Sequence, residues 1–273
     1  MKIFLYIFLF LFHVNLLTSN EIKNFIQSLD KEEKTYLENF FHRVIFHDHF
    51  AYTLEGYKSM ALSGGDLYYN LVPCGKDVLI STPPSEGFWK GWTVWLKNRS
   101  HLKMSHFVLF EEPSNKSPQV RLIVLIHKPL FIKTVNDHLK IFEDVLQKEV
   151  LAEKLLEEVC IKGVQHTLKC SDLLYGILLG YGKGNSTLFS QKSKRKIFSI
   201  NPAVRNDDPD QIFFNDQESC VMIPYHPINF LVNSTTAETK NLKTTYREAD
   251  KKILATYKLN NLLPIVFQKL SSE

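Results

Sequence analysis

Four local groups of residues in this chain have side chains suited to chemistry. The first is His42-Arg-Val-Ile-Phe-His47-Asp48-His49. On an extended segment His47 and His49 would turn both rings to one side, an arrangement that suits zinc or copper. No His-Glu-x-x-His accompanies them, and His42 and His47 are badly spaced for one helical face. The plainer reading is polar residues closing a helix, where the dipole favours cations. The second group centres on Cys74 in Pro73-Cys74-Gly75, a thiol that a distant base such as His106, His127 or His226 would turn into a hydrolytic nucleophile. Cysteine nucleophiles often stand at helix N-termini, and this one reads as a loop. No Gly-x-Ser-x-Gly offers a serine instead.

The third group is the aromatic stripe Phe88, Trp89, Trp92 and Trp95, which holds every Trp of the chain. Flat indoles stack on sugar rings, so Trp89, Trp92 and Trp95 are candidate ligand contacts. The same spacing is what a core-facing helix needs, with at least one indole partly exposed because Trp is rarely fully buried. The fourth group is Gly180-Tyr-Gly182-Lys183-Gly184-Asn185-Ser186-Thr187. It has the look of a phosphate cradle opening a helix, but it fits neither the Walker nor the dinucleotide pattern and it follows a helix where phosphate loops follow a strand. A helix C-cap followed by an N-cap explains the same residues.

Bulk properties narrow the classes. The chain is 44% hydrophobic and 12% aromatic, which supports a packed core. A net charge of +4 is too small for a nucleic-acid footprint, and no nucleic-acid partner is expected. Basic residues cluster around Lys192, Lys194, Arg195 and Lys196, and an acidic stretch follows from Asp207 to Glu218. Two solvated loops account for this; contact with an anionic surface is the functional alternative. Nothing in the four cysteines has metal spacing, and no cofactor or metal is expected. Cys160 and Cys170 flank a short connection and are the easiest pair to close as a disulfide.

The N-terminus explains why disulfides are considered at all. Met1-Lys2 is followed by an apolar run to Leu17 and then by Thr18-Ser19-Asn20, the layout of a secretory signal peptide cleaved after Ser19. The run is about fifteen residues against the roughly twenty a spanning helix needs, so an uncleaved anchor is the lesser reading. Expected boundaries are therefore a signal peptide over 1–19 and a single domain over 20–273, periplasmic or secreted, with no spanning segment after cleavage.

These groups sit on elements readable from their periods. Asp30-Lys-Glu-Glu33 is a capping box opening a helix over 31–47. Phe50–Leu54 and Lys58–Leu62 read as short strands around Gly56, and Pro83-Pro-Ser-Glu86 opens the helix of the Trp stripe. His106–Glu111 and Val120–His127 form a hairpin whose second strand is apolar throughout, as befits a central strand. Helical periods run over 133–159 and 167–179. Short extended stretches lie at 212–214 and 221–232, and Thr235-Thr-Ala-Glu238 is a capping box before a helix ending near Lys258. Strands and helices are segregated, which predicts α+β: an antiparallel sheet of about five strands packed with amphipathic helices.

Two stretches, Phe46-His-Asp-His-Phe-Ala-Tyr-Thr-Leu-Glu-Gly-Tyr-Lys-Ser-Met60 and Gly176-Ile-Leu-Leu-Gly-Tyr-Gly-Lys-Gly-Asn-Ser-Thr-Leu-Phe189, resemble segments of uncharacterised exported proteins of obligate intracellular bacteria. The resemblance implies export and carries no catalytic residue. The expectation is an exported, non-catalytic binding or interaction protein with a protein or glycan partner. The alternative is an envelope hydrolase using Cys74 with a His such as His226, or a metal site at His47 and His49.

Overall fold

A computed structural model describes residues 20–64, 86–114, 117–195, 212–216, 221–225, 228, 232, 236–258 and 261–272. The expected signal peptide over 1–19 lies outside the described residues. The fold is α+β and mostly helical: α1 (20–28), α2 (Lys31–Phe46), α3 (Phe50–Leu54), β1 (Met60–Gly64), α4 (Glu86–Asn98), β2 (Phe107–Ser114), β3 (Ser117–His127), α5 (Lys128–Asp137), α6 (Leu139–Leu146), α7 (Ala152–Lys162), α8 (Val164–Thr167), α9 (Asp172–Leu178), α10 (Lys183–Arg195), β4 (Ile212–Asp216), β5 (Val221–Tyr225), α11 (Ala237–Thr256) and α12 (Leu262–Ser271). Internal contacts divide the chain into two discontinuous compact units, one of residues 1–43, 84–106 and 257–273 and one of residues 44–83 and 107–256.

The first unit is helical and aromatic. Asp30 Oδ1 accepts the backbone N–H of Glu32 and Glu33 (2.9 and 2.8 Å), which starts α2 where the sequence placed it. Glu33 does not close the box; its side chain pairs with Lys97 at 2.6 Å. Phe40 and Phe41 of α2 pack on Phe88, Trp92 and Trp95 of α4, and Phe41 and Trp95 meet Phe267 of α12. Gly91 permits this approach: a Cβ there would come within 2.1 Å of the Tyr36 carbonyl oxygen.

The second unit holds the sheet. β3 lies between β1 and β2, antiparallel to both, with Val124 opposite Leu62 and Phe110. Leu122 to Ile126 are all buried, which is why the run lacks alternation. The unit's apolar core joins Val124 and Ile126 to Phe131, Phe142, Val159, Val164 and Leu174 from the helices. Expectation and structure part at several points, one being the helix read over 167–179, where a turn at 168–170 separates α8 from α9. The five described strands do not make one sheet: β4 and β5 form a separate two-stranded one. Phe50–Leu54 is a helical turn, α3, not a strand. All five of its residues are buried, so no period marks it, and Gly56 at φ 78° ends it. The single period over 133–159 is three helices, broken by His138 and by Gln147 at φ 55°.

Candidate functional site

Titratable side chains of the second unit gather around three segments: the loop from α3 to β1, the turn from α9 to α10, and α11. After Gly56 the backbone N–H of Tyr57 and Lys58 both donate to the Tyr52 carbonyl, and Ser59 Oγ donates to the Leu178 carbonyl at 2.7 Å. These bonds pin the loop to the end of α9. The stretch 46–60 thus packs against the stretch 176–189.

Lys58 is only 2% exposed. Its Nζ lies 5.7 Å from the centre of the Tyr181 ring, within cation–π range. Among the described residues no carboxylate stands beside it, so desolvation acts unopposed and burial pulls the amine from 10.5 down to about 7. Nearby acidic groups are matched elsewhere. Glu55, its side chain buried, pairs with Lys252 at 2.8 Å. Asp250 accepts a short hydrogen bond from the Tyr52 hydroxyl, which itself accepts the Ile228 N–H at 3.0 Å. Asp48 accepts from Ser63 Oγ at 2.6 Å.

Tyr246 completes the cluster from α11. Its hydroxyl donates to the Gly180 carbonyl at 2.8 Å, and its ring meets Tyr52 edge-on. Burial, with Tyr181 adding to it, pushes the phenol above its ordinary value, so it stays a proton donor at neutral pH.

The glycine-rich turn closes α9 and opens α10, as the C-cap and N-cap reading expects, and the anion at the α10 N-terminus belongs to the chain itself. Gly184 N–H donates to both oxygens of Glu238 (3.1 and 2.9 Å), and Asn185 N–H donates to Oε2 at 3.3 Å. Gly182, at φ 84°, and Gly184 leave that carboxylate its place, since a Cβ on either would lie 2.8 or 2.6 Å from it. This corrects the capping box expected at Thr235-Thr-Ala-Glu238. The cap is Thr236, whose Oγ1 accepts the Thr239 N–H at 3.2 Å. With Thr236 as the N-cap, Glu238 stands at N2 and not at N3, so its carboxylate turns to the α10 N-terminus instead of closing a box.

The other candidates are dispersed. Trp92 and Trp95 are buried at 1% and 0% exposure and Trp89 is half-buried, so the stripe is core with one indole at the surface. His47 and His49 lie in a turn, not on an extended segment: His49 is left-handed at φ 66° and precedes α3. Among the described residues no group of three His, Cys, Asp or Glu is placed to hold a metal ion. His127 Nδ1 caps α5 by accepting the Leu130 N–H. Cys160 and Cys170 are both exposed thiols, so the expected bridge is not formed here; Cys170 Sγ sits 3.6 Å from the Gln165 carbonyl instead. Cys74, His226 and Lys196 lie outside the described residues. So do the side chains of Lys192, Lys194 and Arg195, whose backbone ends α10.

Sequence reasoning passed over Lys58 and Tyr246 and took in Tyr181 only as part of the glycine-rich turn. The available signal was a lone lysine heading the apolar run Ser59-Met-Ala-Leu62. No protein-family model, curated protein or solved structure matches the chain. No helix among the described residues is long and apolar enough to cross a membrane.

Proposed function

We propose that the chain is an exported binding protein of the cell envelope or extracellular space, and that its second unit receives the anionic group of a ligand at Lys58. Export rests on the leader-like N-terminus. Anion binding rests on one observation: Lys58 is buried to 2% exposure as a residue, with an aromatic face beside its amine and, among the described residues, no carboxylate there. Burying a cation without a counter-ion lowers stability, and groups kept at that cost cluster at functional sites. A bound carboxylate or phosphate would supply the missing charge.

Thermal unfolding of the mature protein tests this, with and without millimolar glycolate or inorganic phosphate. Ligand that binds only the folded state raises the melting temperature. The wild type is expected to shift and Lys58→Met to stay put. An equal response of both proteins would remove Lys58 from the site.

A further inference from the structure

Building on the reading of Lys58 as the ligand contact, we infer that the ligand is a small oxo acid held covalently, as an imine between its carbonyl carbon and Lys58 Nζ. Three features of the second unit converge on this chemistry. The amine sits in a buried aromatic seam with no acidic neighbour among the described residues to hold it as an ammonium ion. A desolvated lysine of this kind is the usual imine-forming nucleophile, and the downward pull of burial on Lys58 agrees. Next, a buried hydroxyl stands close to the lysine stem. A methyl group built on Gly180 would lie 2.4 Å from the Tyr246 hydroxyl and 3.3 Å from Lys58 Cγ, so both side chains crowd the same point. Finally, the ring beside the amine reaches the surface. Tyr181 lies over the amine and is half-buried, and residues 179–182 that carry it are all partly exposed.

The step is a condensation without oxidation or reduction. The Nζ lone pair attacks the carbonyl carbon, and a proton passes from nitrogen to the carbonyl oxygen to give a carbinolamine. The C–O bond then breaks, water leaves with a proton drawn from the surroundings, and the C=N bond forms. Hydrolysis reverses it. The protonated imine is a buried cation, and the described residues set no carboxylate against it. The ligand must therefore bring its own, which selects an oxo acid over a plain aldehyde.

The test treats the mature protein near neutral pH with glyoxylate and cyanoborohydride, followed by peptide mass mapping. One reduced adduct at Lys58 is expected, formed at least about tenfold faster than at any exposed lysine, because exposed amines stay protonated. Adducts spread over exposed lysines with no enrichment at Lys58 would overturn the imine. Glycolate, which has the carboxylate and lacks the carbonyl, separates the two readings. If glycolate stabilises the wild type and not Lys58→Met while glyoxylate leaves no adduct, the imine falls and anion binding stands. If neither compound acts at Lys58, both fall. Mapping is done on the wild type, so it does not depend on the variant folding.

Discussion

In the first unit the interior is built of Phe40, Phe41, Trp92, Trp95 and Phe267, ring against ring. In the second unit the interior also takes in Asp48, Lys58, Glu112, Asp250 and Thr239. Aromatic burial is favourable wherever the shapes fit, at roughly 25 cal/mol per Å² of apolar surface removed from water. Burial of a charge is favourable only where a partner is built in. Most of the second unit's polar groups have such partners. Glu112, for example, accepts the Val164 N–H and a bond from Gln165, although burial still raises its pKa. The difference teaches where to look: a matched buried group is architecture, whereas Lys58 is a buried basic group with no carboxylate beside it among the described residues.

Breaking the aromatic unit gives the largest expected effect. Trp95→Ala empties a site at 0% exposure between Phe41 and Phe267 and is expected to cost about 3–5 kcal/mol in urea unfolding. A cost below about 1 kcal/mol would mean that this core is loosely packed.

Lys58→Met is expected to act in the opposite direction, stabilising the protein by about 2–4 kcal/mol at neutral pH while abolishing ligand response. The pH dependence identifies the cause. The folded amine titrates near 7 and the unfolded one near 10.5, so between these values the unfolded chain holds one more proton. Stability contributed by the neutral amine is therefore present above 10.5 and lost as pH falls towards 7, by up to about 1.4 kcal/mol per unit. Tyr57, Tyr181 and Tyr246 also face this region, so the measurement is the difference between wild type and variant. The gap should narrow as pH rises. A gap independent of pH would assign the gain to packing alone.

That the proposed ligand contact is a lone lysine explains why the sequence was only partly legible. Helical periods, the Asp30 cap and the central strand Leu122–Ile126 are written locally: each follows from which faces are buried. Trp92 and Trp95 are legible for the same reason. Phe50–Leu54 is not, because burial on every side erases the period that separates helix from strand. The candidate site fails for a different reason. Its pieces were visible as the glycine-rich turn and the stretch before Met60, but bonds such as Ser59 to Leu178 span 119 residues. Local spacing says nothing about such distances. Glu238 illustrates both limits, since its local motif pointed to Thr235 while its actual partners are 53 and 54 residues away.

Tyr52→Phe sharpens the contrast between matched and unmatched groups at a smaller scale. It takes one hydrogen bond from Asp250 and one from the Ile228 N–H, both buried, and is expected to cost about 1–3 kcal/mol. Its effect on ligand response at Lys58 should be slight. Loss of that response with the fold intact would extend the site to the Tyr52–Asp250 pair.

The smallest effect belongs to the nest at the start of α10. Glu238→Gln keeps an acceptor for the Gly184 N–H and removes the charge from a helix N-terminus, where it is worth about 0.3–1 kcal/mol at the surface. The loss should shrink in high salt, as screening of a partly exposed charge requires. Packing in the nest is separable from charge through Gly184→Ala, whose methyl group would come within 2.6 Å of Glu238 Oε2. In the wild type that substitution forces the carboxylate out. In a Glu238→Ala background there is nothing to displace, and alanine inside a helix is favoured over glycine by roughly 0.5–1 kcal/mol. The same substitution should therefore destabilise one background and stabilise the other. A double-mutant cycle with no coupling between the positions would mean that the glycines serve only the turn and that the nest is not specific for its internal anion.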